Sequence, residues 1–208
     1  MAKTKIEFVC RECGASHHQW VGQCLDCKEW NTLEEIVISQ ATSSKPEILK
    51  DLPASKVQNL SEITTQNKER LSTGLSELDR TLGGGLIDGS VVLIGGDPGI
   101  GKSTLILQAL AVINTTNTTL YVSGEESAEQ VSERAIRLEI KEDILFISET
   151  HLEKILKLSK DVQPKVIVID SIQTMVTDIS SSAPGSVSQV RDCAAQLTQY
   201  AKQTNTVL

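Results

Sequence analysis

The sequence predicts an α/β fold with a mostly parallel sheet, preceded by a small module built around four cysteines. Two observations predict the sheet: short apolar runs alternate with amphipathic stretches, and a glycine-rich turn lies between one such run and an apolar helix. Two Cys-x-x-Cys pairs near the start of the chain predict the module. Apolar residues make up 39% of the chain and charged residues 23%, a balance that supports a folded core.

Composition divides the chain into three predicted parts. Residues 1–35 form the cysteine module, and residues 70–208 form the larger α/β domain. Between them, residues 36–69 are rich in Ser, Thr and Lys and are predicted to be a linker, with a short strand near residues 56–60.

The larger domain alternates predicted strands and helices. Strands are predicted over residues 90–94, 119–123, 144–148 and 165–170, and a further buried strand is expected to begin within residues 205–208. Helices are predicted over residues 103–114, 127–138, 151–160 and 186–203. Because the strands are apolar throughout, we expect a parallel sheet that is covered by helices on both faces.

Four of the five cysteines form two pairs, Cys10 with Cys13 and Cys24 with Cys27. Each pair can place two thiolates along one edge of a tetrahedron around Zn²⁺, so that the two pairs supply four ligands. Two disulfides would need an oxidising compartment, and a thioredoxin-like redox site would need a single pair beside a strand and a helix. The fifth cysteine, Cys193, is expected to be a buried core thiol.

The glycine-rich turn at residues 96–103 matches the phosphate-loop pattern G-x-x-x-x-G-K-[ST]. Backbone N–H groups of such a loop and the N-terminus of the following helix converge on phosphate oxygens. Lys102 is predicted to reach the β- and γ-phosphates and Ser103 to ligate Mg²⁺. The predicted nucleotide-binding residues of the turn are Gly95, Gly96, Asp97, Pro98, Gly99, Ile100, Gly101, Lys102, Ser103 and Thr104.

Two acidic positions complete the predicted site. Asp170 ends an apolar strand, where it can bind nucleotide-associated Mg²⁺ or, alternatively, cap the following turn. Glu125 and Glu126 follow another strand at the same edge of a parallel sheet. We predict that Glu125 is the base that orients the attacking water, and that Lys102 is the second catalytic residue. The alternative is that both glutamates only favour the start of the next helix.

These segments carry a resemblance to a known family. The stretch LSTGLSELDRTLGGGLIDGSVVLIGGDPGIGKST, followed by YVSGEES and VIVIDSIQT, resembles the core of RecA-type P-loop ATPases. Together with the N-terminal CRECG and CLDCKEWNTL, it is similar to a zinc-bearing bacterial branch of that family. The resemblance covers nearly the whole chain apart from the predicted linker.

The resemblance implies a DNA-dependent ATPase of homologous recombination and DNA repair in the bacterial cytoplasm. Members hydrolyse ATP to drive branch migration or extension, act as homohexamers on single-stranded DNA and recombination intermediates, and work with the RecA recombinase. Glu125 matches the water activator of the family. Residues 171–185 match a DNA-contacting loop, although they contain no Lys or Arg, and an ordinary loop remains the alternative.

Two features of the family are missing from residues 1–208, a KNRFG motif and a domain similar to that of the Lon protease. We therefore expect an N-terminal fragment with an incomplete ATPase core that is inactive alone. The formal net charge of −7 is a poor match to nucleic acid, and no apolar run is long enough to cross a membrane. Two alternative functions are a signalling or clock-type switch with the same core, and a zinc-dependent interaction module with a degenerate ATPase site.

Overall fold

The computed structural model describes residues 5–38, 59, 69–180 and 182–208. The chain divides into two units, Met1–Lys68 with Ser186–Ser188, and Glu69–Gly185 with Gln189–Leu208. Most of the predicted linker, including nearly all of the strand expected near residues 56–60, lies outside the described residues.

The first unit contains a small antiparallel sheet in the order β2-β1-β3. Its strands are β1 (Lys5–Cys10), β2 (Ser16–His17) and β3 (Leu33–Ile38). Among the described residues of this unit, the buried apolar cluster consists of Cys10, Cys24 and Leu33, with a few half-buried neighbours. Since so small a core supplies little stabilisation by itself, the four-cysteine cluster has to contribute to folding.

The second unit is built on a parallel sheet, as predicted. Its three strands run in the order β5-β4-β6, with β4 hydrogen-bonded on both sides. All five residues of β4 are buried, which explains why this strand is apolar without alternation. The bounds are β4 (Thr119–Ser123), β5 (Leu145–Ser148) and β6 (Val166–Asp170). The mixed α/β fold class is therefore confirmed.

The predicted strand at residues 90–94 is not formed as a regular strand. Its Ser90 carbonyl accepts from the Leu208 N–H at 2.9 Å, and its Val92 N–H donates to the Leu208 carbonyl at 2.8 Å. Val207 in turn bridges in parallel to Val166 of β6, so a buried extended segment does begin near the predicted place. With two hydrogen bonds to one residue, residues 90–94 lack the repeated ladder that defines a strand.

Five α-helices accompany the sheet in the described part of the second unit. Four lie within two residues of the predicted bounds, and the six-residue α1 was not predicted. They are α1 (Ser76–Thr81), α2 (Lys102–Asn114), α3 (Ala128–Arg137), α4 (Leu152–Val162) and α5 (Val187–Thr204), with a 3₁₀ turn at Ile172–Thr174. None of the described helices has the length and apolar content needed to span a membrane.

The core of the second unit lies between α2 and the sheet. Leu107, Leu110 and Ile113 of α2 pack in one cluster with Tyr121 of β4 and Val166 of β6. Packing α2 in this way fixes the position of its first turn, which follows the glycine-rich loop. Cys193 on α5 is fully buried, as expected for a core thiol, and this burial, with Glu153 and Asp192, raises its pKa to about 11.

Candidate functional site

The glycine-rich loop turns sharply into α2. Gly99 and Gly101 have φ angles of 80° and 101°, in the region that glycine adopts without steric cost. The Lys102 ammonium donates to the carbonyl oxygens of Gly96 and Asp97, both at 2.8 Å. The loop therefore curls around this amine. Residues 97–100 are exposed, while Ser103 and Thr104 are half-buried in the first turn of α2.

One cavity joins the loop to the predicted metal-binding carboxylate. It has a volume of about 560 Å³, and its lining includes Gly95, Gly96, Lys102, Asp170 and Ser171. The remainder of its wall is mostly apolar, from α2, β6 and residues 91–94. The tertiary structure thus brings Lys102 and Asp170 to one cavity at the carboxyl edge of the sheet, although they are far apart in sequence.

Asp170 is held from within the core. The Tyr121 hydroxyl, on the neighbouring strand β4, donates to its Oδ2 atom. Tyr121 is fully buried, and burial together with Asp170 raises the pKa of the tyrosine, so that the phenol stays protonated and acts as a donor. The hydrogen bond from Tyr121 orients one oxygen of Asp170, in the way that outer-shell partners orient metal ligands.

The two adjacent glutamates have different partners. Glu126 accepts from both terminal nitrogens of Arg134 on α3, at 2.7 and 2.5 Å, and the two side chains are 29% and 18% exposed. Glu125 is exposed and accepts instead from the Ser171 hydroxyl at 2.6 Å. The Arg134 guanidinium thus engages both oxygens of Glu126, whereas the Ser171 hydroxyl engages one oxygen of Glu125. This difference favours Glu125 as the base.

The cysteine pairs lie on two similar turns. The Gly14 N–H donates to the Cys10 carbonyl at 2.8 Å, and the Lys28 N–H donates to the Cys24 carbonyl at 2.9 Å. Gly14 and Lys28 both adopt left-handed backbone conformations, with φ angles of 73° and 63°. Lys28 therefore accepts some backbone strain in a position that glycine fills in the other turn.

The geometry of the four thiols fits a zinc ion. All four Sγ atoms lie within 4.8 Å of one another, and the Cys10–Cys27 and Cys13–Cys24 separations are both 3.6 Å. These separations are close to the roughly 3.8 Å edge of a tetrahedron with Zn–S bonds of about 2.3 Å. None of the five cysteines forms a disulfide. The cluster is thus a metal-binding module of the zinc type.

His17 stands beside this cluster. Its Nε2 atom lies 3.5 Å from Cys24 Sγ and 3.7 Å from Asp26 Oδ2. A backbone hydrogen bond from Cys27, aided by His17, outweighs burial and lowers the pKa of Cys24 to about 6. The pKa of Cys27 moves the other way: a backbone hydrogen bond from Glu29 lowers it, but burial and the thiols of Cys13 and Cys10 outweigh that bond and raise it to about 12.

Sequence reasoning did not single out four residues of these sites: Ser171, Tyr121, Arg134 and His17. Ser171 follows Asp170 directly, and Tyr121 places a phenol at the centre of the strand TLYVS, so both left a weak signal. Arg134 and His17 left no signal in the sequence, because their partners lie outside their own helix or strand and are brought near them by tertiary packing.

Comparisons with known proteins match both parts of the chain. The sequence profile of a rubredoxin metal-binding domain matches residues 8–35, and that of a family of unknown function, DUF7125, matches residues 70–196, more than half of the chain. The DNA repair protein RadA of Pseudomonas aeruginosa is 50% identical over 209 residues, which cover 100% of this chain and 46% of that protein.

Other relatives give the same picture. The DNA repair protein RadA of Escherichia coli (strain K12) is 49% identical over 97% of this chain, and that of Bacillus subtilis is 45% identical over 97%; in each case 45% of the relative is covered. The chain therefore spans about half the length of the curated relatives it matches. It belongs to the family whose profile covers residues 70–196, and along its whole length it is similar to bacterial DNA repair proteins named RadA.

Proposed function

We propose that this chain carries the site at which ATP is bound and hydrolysed, and that the full-length protein uses the reaction in DNA repair. The observation that carries the proposal is the convergence of three groups at one sheet edge. Lys102 and Asp170 line one cavity, and Ser171, in the same lining, hydrogen-bonds to Glu125. An amine, a metal-binding carboxylate and a carboxylate base are the groups that phosphoryl transfer to water requires.

Each group has a distinct task in the proposed reaction. Apart from Pro98, which has no N–H, the loop residues 95–101 present backbone N–H groups to the β-phosphate, and Lys102 leaves its two carbonyl partners to pair with the γ-phosphate. Ser103 and Asp170 would hold the Mg²⁺ that accompanies ATP, which neutralises charge on the phosphates. Glu125 accepts a hydrogen bond from the attacking water, which aligns that water for in-line displacement, and then accepts its proton.

The link to DNA repair is supported by the relatives, which are DNA repair proteins at 43–50% identity. We extend the proposal to stimulation by single-stranded DNA, to recombination intermediates as substrates, to a homohexamer and to cooperation with the RecA recombinase, in the bacterial cytoplasm. The four-cysteine module is proposed to hold one structural zinc ion, which the rubredoxin-like match and the thiol geometry support.

The proposal is tested by ATP turnover in the full-length protein, with and without single-stranded DNA. Lys102→Ala should lower turnover by at least about 100-fold, because it removes the charge that faces the transferred phosphoryl group. Lys157→Ala, at an exposed position of α4, is the matched control and should leave turnover unchanged. An inactive wild-type protein, or a Lys102→Ala variant with normal turnover, would refute the proposal.

A further inference from the structure

The Ser171 hydroxyl connects two segments that meet only in the folded chain. It donates to Glu125 Oε1 at 2.6 Å, across a separation of 46 residues. We propose that Ser171 is a positioning residue, which fixes the Glu125 carboxylate in the orientation that activates water. The inference rests on the proposed ATPase function and adds to it a residue that acts through Glu125 and does not itself react.

The sheet register determines where the two residues meet. Ser123, the last residue of β4, pairs with Asp170, the last residue of β6, and the Gly124 N–H donates to the Asp170 carbonyl at 3.0 Å. Glu125 thus lies two residues beyond one strand end and Ser171 one residue beyond the other. Parallel strands end at the same edge, so backbone pairing brings the hydroxyl within reach of the carboxylate.

A close contact next to this hydrogen bond holds the two segments together. A Cβ atom at Gly124 would overlap Thr174 Oγ1 and lie 2.8 Å from Thr174 Cβ, so glycine is required here for close approach. The same Thr174 hydroxyl donates to the Ser171 carbonyl at 2.8 Å. Both neighbours of the Ser171–Glu125 bond are therefore anchored, and the hydroxyl is presented from a constrained backbone.

The chemistry of the donor suits this task. Glu125 is exposed, and without a restraint its torsions would sample several staggered rotamers. A neutral hydroxyl restrains the side chain on one oxygen and does not cancel its charge. The guanidinium of Arg134, by contrast, neutralises the adjacent Glu126. The Ser171 hydroxyl holds Glu125 in place without bringing an opposite charge, and preorganisation of such a group accelerates the reaction.

The test compares Ser171→Ala and Ser171→Thr in the full-length protein. Ser171→Ala should lower kcat by about 10-fold, since a small displacement of a reacting group has effects of this order or larger. The Kd for Mg-ATP, measured by equilibrium binding, should stay within about 2-fold, because Glu125 acts on water and not on the nucleotide. Ser171→Thr keeps the hydroxyl and should recover most of the lost kcat.

Two controls separate positioning from a structural effect. Ser72→Ala removes another serine–carboxylate hydrogen bond, from Ser72 Oγ to Asp79 Oδ2, also at 2.6 Å, and should leave kcat unchanged. In a Glu125→Gln background, measured under single-turnover conditions, Ser171→Ala should cause no further loss, because two residues that act as one unit are not additive.

The outcomes distinguish this inference from the proposed function. A wild-type protein without turnover would refute the ATPase proposal itself. If the wild type is active and the Ser171→Ala variant keeps its kcat within about 2-fold, the positioning role alone is overturned. A change in kcat of that size does not indicate an interaction between Ser171 and Glu125. The positioning role would also fail if the Ser171→Ala loss appeared in full in the Glu125→Gln background.

Discussion

Arg134 donates to both carboxylate oxygens of Glu126, at 2.7 and 2.5 Å, and so separates the roles of two adjacent glutamates. The pair is mostly buried and joins α3 to the segment that follows β4. Glu125, one residue earlier, receives only a neutral hydroxyl from Ser171 in the bond described above. The sequence offers two identical side chains in this place, and the tertiary structure gives each a different environment.

The first prediction follows from this contrast. Glu125→Gln should leave Mg-ATP binding intact and lower turnover by at least about 100-fold, the scale expected when a positioned base is lost. Glu126→Gln should keep turnover within about 3-fold but lower the free energy of unfolding by about 1–3 kcal/mol, because Arg134 is left without its charged partner. Turnover and urea unfolding are measured on both variants. If the Glu126→Gln variant lost turnover and the Glu125→Gln variant kept it, the base would be Glu126.

The second prediction concerns the cysteine module. The purified full-length protein should hold about one zinc per chain, and Cys24→Ala should lose it, since three thiolates bind far less tightly than four. Both tryptophans of the chain, Trp20 and Trp30, lie in this module, so a change in tryptophan fluorescence comes from this module. Elemental analysis of zinc and iron, together with the fluorescence spectrum, checks the expectation.

Cys193→Ala is the matched control for the zinc experiment. Its thiol is buried on α5, outside the cluster, so the variant should keep its full zinc content. Each unit has its own buried apolar cluster, so the second unit should fold without the metal. Nucleotide binding by the Cys24→Ala variant tests this expectation. Wild-type protein purified under reducing conditions without zinc or iron would contradict the prediction.

The third prediction is a pH dependence of stability at the start of α4. Glu149 Oε1 accepts from the N–H groups of Thr150 and His151 at 2.9 and 3.0 Å, and Lys154 lies 3.1 Å from Oε2. These contacts, the His151 N–H first, lower the pKa of Glu149 to about 2 from an ordinary value of 4.5. At neutral pH, Glu149→Ala should therefore lower the free energy of unfolding by about 1 kcal/mol, as for the loss of a helix cap.

The sign of the pH effect follows from the lowered pKa. A depressed carboxyl pKa stabilises the folded state above pH 4.5, and this stabilisation is lost as the pH falls from 4.5 toward 2. The difference between wild type and Glu149→Ala should therefore shrink as unfolding is measured from pH 7 to pH 3 by circular dichroism in urea. Glu133→Ala, exposed on α3, should show no such trend. A difference that stays constant over this range would contradict the role of the charge.

The sequence alone determined the parts of this protein that local chemistry encodes. The apolar run of β4 predicted a buried parallel strand, and its bounds were correct to the residue. The phosphate-loop pattern predicted the turn before α2, because glycines at set positions and a following apolar helix leave few backbone solutions. The spacing of Cys10, Cys13, Cys24 and Cys27 predicted the thiol cluster, because each pair shares one tight turn.

Only the tertiary structure decided which groups meet. Residues 90–94 have the composition of a strand, yet they bond only at Ser90 and Val92, because a strand requires a partner that local sequence does not supply. Likewise, the Glu125–Ser171 hydrogen bond depends on the register between β4 and β6 and on the close approach at Gly124. A contact across 46 residues arises from packing, so only the folded chain could assign a hydroxyl to one glutamate and a guanidinium to the other.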